Sequence, residues 1–286
     1  FPTIWRLSVP NMFAMVATAL VSIAETSYVG KLGLIPLAGM ALVFPLIMLQ
    51  QMLSAGSMGG GISSAISRAI GSGNTAKANA LVWHAVIISF TLALFLSLVI
   101  LLWGRPIFQL IGGQGDALEQ ALVYANVAFL GSLSIWLTNA FASAIRGSGD
   151  MKTPSVTLLV VAVVQVVLGG VLGLGLGPVP SYGMAGVALG QVLAFTLGAV
   201  YLFVYLRSGK SRVHLSFTAT VHRSYFMEIL KVGGIASISS LQTVLTILIL
   251  TRIVAGFGPE ALAGYGIGTR FEFLLIPITF AIGVAC

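Results

Sequence analysis

Glu25 is a carboxylate placed inside a long apolar run. It lies in the stretch VSIAETSYVG, Val21 to Gly30, and no Lys or Arg lies between Arg6 and Lys31. An ionisable group within a membrane span costs about 2.5–3.5 kcal/mol on insertion scales, so it needs a partner, water or a function. Two interpretations follow. Glu25 is either an acid near the outer interface that reaches for water, or a carboxylate that binds a cation or proton in a cavity.

Three polar residues precede Glu25 at helical spacing. Asn11, Thr18, Ser22 and Glu25 are separated by seven, four and three positions, which places all four on one helix face. Burial in an apolar setting disfavours the charged form of a carboxylate, which suits a group that takes up and releases protons. We therefore predict that Glu25 is the ion-coupling residue.

Other apolar runs also carry polar side chains. Each such residue serves either as a hydrogen-bonding contact between helices or as part of a substrate cavity. Arg270 and Glu272 form either a structural pair or part of the cavity wall. The candidates are Gln50, Ser54 and Ser57, then Asn126, Trp136 and Asn139, then Gln165, Gln242, Arg270 and Glu272.

The composition shows what must position these residues. The 286-residue chain is 58% hydrophobic and 7% charged, and its mean hydropathy is +1.05. A soluble domain carries about 25% charged residues, so this is a polytopic membrane protein. The apolar runs are too long and continuous for a β-barrel, which predicts an all-α fold. The single cysteine, Cys286, allows no internal disulfide, and no basic-aromatic patch indicates nucleic-acid binding.

Eight apolar segments have the length that a bilayer requires, about 20 residues each. The second contains Pro45 and a Gly-rich end, so we expect it to be bent or broken. The predicted spans are 7–30, 37–67, 80–103, 117–145, 154–176, 184–206, 226–254 and 261–286.

The charges of the connecting loops set the orientation. The loops after spans one, three, five and seven hold only Lys31, Arg105 and Arg252. The positive-inside rule therefore predicts a cytoplasmic N-terminus in a plasma (inner) membrane. The stretch 207–225 is either a plain linker or a segment that binds anionic lipid. The loops after spans two, four and six hold Arg68, Lys77, Arg146, Lys152, Arg207, Lys210, Arg212, Arg223 and Lys231.

A short repeat flanks this linker. VGKLGLIPLAG from Val29 and VAGFGPEALAG from Val254 share five of eleven positions. Six spans separate the copies, which indicates a parallel repeat of two bundles. We predict an N-terminal six-helix bundle over 1–206 and the first two helices of a second bundle over 226–286. Because the chain lacks an initial Met and stops within an apolar segment, we expect a truncated transporter.

Several loops resemble those of one family, the multidrug and toxic compound extrusion (MATE) transporters. VGKLGLIPLAG resembles the family's first loop, ISRAIGSGNTAKA its second and IRGSGDMKTP its fourth. GLGPVPSYGMAGVALGQ is similar to its fifth-to-sixth connection, and GYGIGTRFEFLLIP to its eighth span. The resemblance implies two pseudo-symmetric six-helix bundles. It also implies export by alternating access, coupled to inward flow of protons or sodium ions.

The resemblance also assigns residues. The family places an Asp five positions before the Gly of the first loop, and Glu25 stands five before Gly30. Proton-coupled members carry an Asn and an Asp in the fifth span, where this chain has Gln165 and Gly169. Another branch places a Glu in the seventh span, near Gln242. The second carboxylate is thus absent here, so Glu25 is expected to act alone or with polar neighbours.

Three other functions fit the sequence less well. An enzyme is disfavoured because neither HExxH nor GxSxG occurs. A channel would leak without coupling, and a lipid-linked saccharide flippase would need a more cationic cavity. One acid with few internal bases favours a cationic or amphipathic small-molecule substrate. We expect no cofactor beyond the coupling ion, no nucleic-acid partner, a surrounding lipid bilayer and a monomeric full-length protein.

Overall fold

The computed structural model describes residues 17, 20–216 and 220–272, without the side chains of 270–272. Every regular element in these residues is a helix, which confirms the predicted all-α class. The helices are α1 (20–32), α2 (Leu34–Gln51), a π-helix (Met52–Ser57), α3 (Met58–Gly71), α4 (Thr75–Leu110), α5 (Gly115–Leu130), α6 (Ser132–Gly147), α7 (Lys152–Leu174), α8 (Gly183–Arg207), α9 (Arg223–Ala255) and α10 (Pro259–Glu272).

Most of the predicted spans correspond to long apolar helices. Among the described residues, five helices are long and apolar enough to cross a membrane, and a bent pair makes up to six. The five are Leu34–Gly71, α4, α7, α8 and α9. The first and eighth predicted spans lie partly outside the described residues. α8 ends at Arg207 and α9 begins at Arg223, so the linker is 208–222 rather than 207–225.

The second span was expected to be bent or broken, but Leu34–Gly71 is one continuous helical stretch whose hydrogen-bonding pattern changes in the middle. Pro45 lies inside α2, and the π-helix Met52–Ser57 follows directly and leads into α3. A π-turn inserts an extra residue, changes which side chains share a face and occurs frequently at functional sites. Ser54 and Ser57 are both buried within it, and they contact different helices, α6 and α9.

The fourth span, predicted as one segment, consists of two helices. α5 and α6 meet at Gly131 with a bend of 48°. A Cβ atom at Gly131 would overlap the Val192 side chain of α8. Close contact with α8 therefore requires glycine at the bend, and the bend turns the polar face of α6 toward the second span.

α7 and α8 form a tight hairpin because glycines remove side chains from their interface. A Cβ at Gly186 would overlap the Leu172 backbone, and one at Gly190 would overlap the Gly169 backbone. Small residues let helix backbones approach closely in membranes. α7 ends at Gly175, whose φ of +71° is the left-handed conformation that glycine adopts without strain.

One end of the bundle, which we call the basic end, is formed by residues 68–77, 146–152, 207–216 and 220–231. The linker is docked there, since Val213 and Leu215 are buried and Asn79 Oδ1 accepts the His214 N–H at 2.8 Å. The buried His84 ring accepts the His222 N–H at Nε2, 2.9 Å away. The loop charges predict that this end is cytoplasmic.

α9 packs along the second span. A Cβ at Gly61 would lie 3.0 Å from the Gly233 backbone nitrogen, so glycines bring α3 and α9 together. Lys77 and Glu228 form an ion pair at 2.7 Å between α4 and α9. The division of the chain into two pseudo-symmetric bundles stays a prediction.

Candidate ion and substrate site

The leading candidate residue, Glu25, is buried and has a partner from a distant helix. Its side chain is 7% exposed and that of Gln165 on α7 is 6% exposed. Gln165 Nε2 donates a hydrogen bond to Glu25 Oε1 at 2.7 Å. The structure therefore brings together the carboxylate and the amide that the sequence could only place in separate spans.

A glycine on α7 lets α1 approach closely. Gly170, five residues beyond Gln165, has no side chain on the face toward α1. A Cβ at Gly170 would lie 3.1 Å from Cζ of Tyr28, so the Tyr28 ring lies directly on that glycine. Because Tyr28 follows Glu25 by three residues on α1, both face α7.

Gly169 occupies the position where the resemblance implied a second acid. A Cβ there would have Val187 O as its nearest atom, at 3.8 Å, which is ordinary van der Waals contact. Packing at the Cβ position therefore does not require glycine. In this chain the amide of Gln165 is the α7 group that contacts Glu25.

A second polar cluster joins α6 to the second span. Asn139 Nδ2 donates to Gln51 Oε1 at 3.1 Å and to Ser54 Oγ at 2.8 Å. Ser54 Oγ in turn donates to the Gln50 carbonyl at 2.7 Å. Asn139 and Ser54 are each 2% exposed, so this network fixes α6 against the π-helix.

The π-helix also meets α9. The hydroxyls of Ser57 and Ser240 lie 2.9 Å apart, and both residues are buried. Ser57 therefore faces α9, whereas Ser54 faces α6. In a regular α-helix two residues three positions apart share a face, and the π-helix changes this arrangement.

Four buried polar side chains lack hydrogen-bond partners in the described part of the chain: Gln50, Ser132, Trp136 and Ser155. The two among the predicted candidates are Gln50, through both its amide oxygen and nitrogen, and Trp136, through Nε1. An unpaired buried polar group costs about 1–3 kcal/mol. These two groups are therefore available to a ligand or to a different helix arrangement.

The remaining candidates are distributed away from these clusters. Ser22 is half-buried on α1, whereas Asn126 on α5 and Gln242 on α9 are exposed. Asn11, Thr18 and the side chains of Arg270 and Glu272 lie outside the described residues.

Arg146 lies half-buried in the last turn of α6. The sequence predicts it in the loop after the fourth span, so its place within the helix is a correction. Its Nη2 donates to Ser143 Oγ at 2.9 Å. The signal was available in the spacing, since Asn139, Ser143 and Arg146 are four and three residues apart and form one polar stripe.

The Glu25–Gln165 pair has groups that are chemically able to bind a small cation or a proton. A carboxylate oxygen and an amide oxygen are hard ligands for cations, and the amide also has two N–H donors. No group of three or more His, Cys, Asp or Glu side chains comes together in the residues that the structure describes.

Comparison with known proteins decides the family. The sequence model of the family described as MatE matches residues 10–171, more than half of the chain. The chain belongs to the MatE family.

Two MatE relatives cover almost the whole chain. An FAD transporter of Shewanella oneidensis is 26% identical over 97% of the chain, and the match spans 61% of that relative. A probable multidrug resistance protein of Bacillus subtilis, YoeA, is 28% identical over 99% of the chain and 63% of the relative. The chain thus spans less than two thirds of these relatives' lengths.

Solved MATE structures share the fold. A crystal structure of a MATE protein in complex with MaD3S has a TM-score of 0.85 at 27% identity, covering 99% of this chain and 63% of that one. An inward-facing multidrug resistance MATE family transporter has a TM-score of 0.86 at 25% identity, covering 98% and 63%. The expected family and fold are therefore confirmed.

Proposed function

We propose that this chain forms the larger part of a membrane exporter of small organic molecules, driven by inward flow of protons or sodium ions. The buried Glu25–Gln165 pair carries this proposal. An acid held within a membrane bundle, with a partner from another helix, is a functional site by default. The two relatives named above are described as an FAD transporter and a probable multidrug resistance protein, which supports small organic molecules as the transported class.

Ion binding alters the contact between α1 and α7. In the ion-free pair, the Glu25 carboxylate accepts an N–H from Gln165. A protonated Glu25 donates to the Gln165 carbonyl after the amide turns over, and a sodium ion is bound by both oxygens. The two loaded states therefore require a different amide orientation from the unloaded state, which links ion occupancy to the packing of two helices.

The substrate is proposed to contact the polar side chains around the π-helix. Gln50 and Trp136 offer unpaired hydrogen-bonding groups there, and Asn139, Gln51 and Ser54 continue the polar surface. Cationic and amphipathic molecules remain the proposed substrates, in a plasma membrane with the basic end cytoplasmic. The names of the relatives above give no support to the flippase alternative.

The test is ion-driven export by the full-length transporter in liposomes. Liposomes that contain the wild type or Glu25→Gln are loaded with ethidium, a cationic dye. A proton gradient and a sodium gradient are imposed in separate experiments. Glu119→Gln is the matched control, because Glu119 carries the same chemistry at an exposed position, paired to Arg105.

We expect Glu25→Gln to reduce gradient-driven efflux to the level of protein-free liposomes, while Glu119→Gln matches the wild type. The gradient that drives wild-type efflux identifies the coupling ion. Normal gradient-driven efflux by a correctly inserted Glu25→Gln protein would contradict the proposal.

A further inference from the structure

Arg146 carries a positive charge that no carboxylate balances in the described part of the chain. The ion pairs found there are Lys77–Glu228 and Arg105–Glu119. The hydrogen bond from Arg146 to the neutral Ser143 hydroxyl leaves most of its guanidinium donors without an anionic acceptor. A half-buried guanidinium in this state is a binding group for an anion.

The nearest acid along the chain is already engaged. The Thr153 N–H donates to Asp150 Oδ1, and the Tyr205 hydroxyl donates to Asp150 Oδ2, each at 3.0 Å. Burial raises the pKa of Asp150, but hydrogen bonds from Thr153, Tyr205 and the Lys152 backbone outweigh it and hold the pKa below its ordinary value. Asp150 is therefore an ionised group whose oxygens are both used to fix α7 against α8.

The surroundings of Arg146 are also strongly positive. The Arg212 guanidinium lies 3.8 Å from the position of a Cβ at Gly149, in the loop that follows α6. Only Asp150 and Glu228 supply negative charge at the basic end. They stand against nine cations: Arg68, Lys77, Arg146, Lys152, Arg207, Lys210, Arg212, Arg223 and Lys231.

We propose that Arg146 binds a phosphate-type anion at the basic end of the bundle, supplied by a transported molecule or by a lipid headgroup. For a transported molecule, this inference rests on the proposed function and extends its substrate class to phosphate-bearing compounds. The planar guanidinium donates two parallel hydrogen bonds to phosphate oxygens. The Ser143 hydroxyl, which is buried beside Arg146 on α6, accepts from one nitrogen of the guanidinium and holds it in place.

Arg146 differs from the other basic residues of this end in its depth. Lys152 and Arg212 are exposed, and exposed charges are screened by water and salt. A half-buried guanidinium loses part of its hydration before the ligand arrives. Its hydrogen bonds to an anion are therefore stronger than those of the surface cations.

The experiment measures equilibrium binding, which requires no ion gradient and so is independent of the coupling test. Full-length transporter is placed in nanodiscs of pure phosphatidylcholine or with added phosphatidylglycerol. The soluble probes are inorganic pyrophosphate, FAD and riboflavin, which shares the flavin ring of FAD but has no phosphate. The variants are Arg146→Gln, Arg146→Lys and the surface control Lys152→Gln, each checked for a monodisperse elution profile and an unchanged melting temperature.

For a transported anion, we expect Arg146→Gln to weaken FAD and pyrophosphate binding by roughly 10- to 100-fold, with riboflavin binding unchanged. Arg146→Lys should fall between Arg146→Gln and wild type, and Lys152→Gln should match wild type. For a lipid headgroup, Arg146→Gln should instead abolish a preference for phosphatidylglycerol measured by native mass spectrometry, and leave the soluble probes unchanged.

Three results would overturn the proposal. The first is a wild-type protein that binds neither the phosphate probes nor phosphatidylglycerol preferentially. The second is equal loss of FAD and riboflavin in Arg146→Gln, which indicates a structural role. The third is a Lys152→Gln protein that loses as much binding as Arg146→Gln, which indicates a diffuse surface charge.

Discussion

Glu25 and Arg146 are both charged residues within the helices of the bundle, and the fold treats them in opposite ways. Glu25 has a buried amide partner 140 positions away in the chain. In the described part of the chain, the partner of Arg146 is the hydroxyl of Ser143, three positions away on its own helix. Because Glu25 pairs across helices, its protonation or ion binding affects the packing of α1 against α7. Among the described residues Arg146 has no comparable partner on another helix, which leaves its charge to an external anion.

The largest loss of stability should come from removing the partner of Glu25. Gln165→Leu takes away the buried amide donor, so we expect a loss of about 1–3 kcal/mol in unfolding free energy. The same change in a Glu25→Leu background should cost less, with a coupling energy of about 0.5–3 kcal/mol. Unfolding in mixed micelles by SDS titration measures both. Additive effects of the two substitutions would show that the pair is not energetically coupled.

Removing the partner of Arg146 should have a smaller effect. Ser143→Ala deletes one hydrogen bond to a guanidinium that also reaches water, so we expect a loss of about 0.5–1.5 kcal/mol. The same SDS titration provides the measurement, with the exposed Ser208→Ala as control. If Ser143→Ala destabilised the protein more than Gln165→Leu, the contrast between the two charged residues would be wrong.

The smallest effect on stability concerns Asp150, whose carboxylate accepts hydrogen bonds from Thr153 and Tyr205. Its pKa is lower in the folded protein than the ordinary value of about 3.9, so it stabilises the fold above that value. This contribution is lost as the pH falls through the folded-state pKa, and screening by water limits it to less than about 1 kcal/mol. Melting temperatures from pH 7 to pH 3 should therefore fall less steeply in Asp150→Asn than in wild type. The exposed Asp116→Asn should follow the wild-type curve, and an Asp150→Asn curve parallel to it would contradict the assignment.

The sequence predicted the helices far better than their contacts. The length of the apolar runs predicted the second to the seventh spans, because a helix that crosses a bilayer needs a long uninterrupted apolar run. Pro45 predicted a bend or break in the second span, but not the π-helix seven residues later, because proline marks a weakened hydrogen-bond ladder without fixing how neighbouring turns respond. The bend at Gly131 was missed, since its cause is the Val192 side chain of another helix.

The candidate site was predicted in part. Glu25 was identified from the cost of a carboxylate in a span, and Gln165 from its place in the fifth span. Their hydrogen bond could not be predicted, because it depends on how closely α1 approaches Gly170. Arg146 was assigned to a loop because helix ends cannot be read from sequence to within a turn.

The contact between the second span and α9 has a mechanical consequence. Gly61 lies against Gly233 and the Ser57 hydroxyl against that of Ser240, while the Met58 side chain packs on Gly233. A hydroxyl pair can exchange donor and acceptor by rotation, so this polar contact does not fix a single arrangement. The ion pair Lys77–Glu228 ties α9 to α4 at the basic end, so we expect a shift of α9 along the second span to be smallest there and to grow with distance from the ion pair.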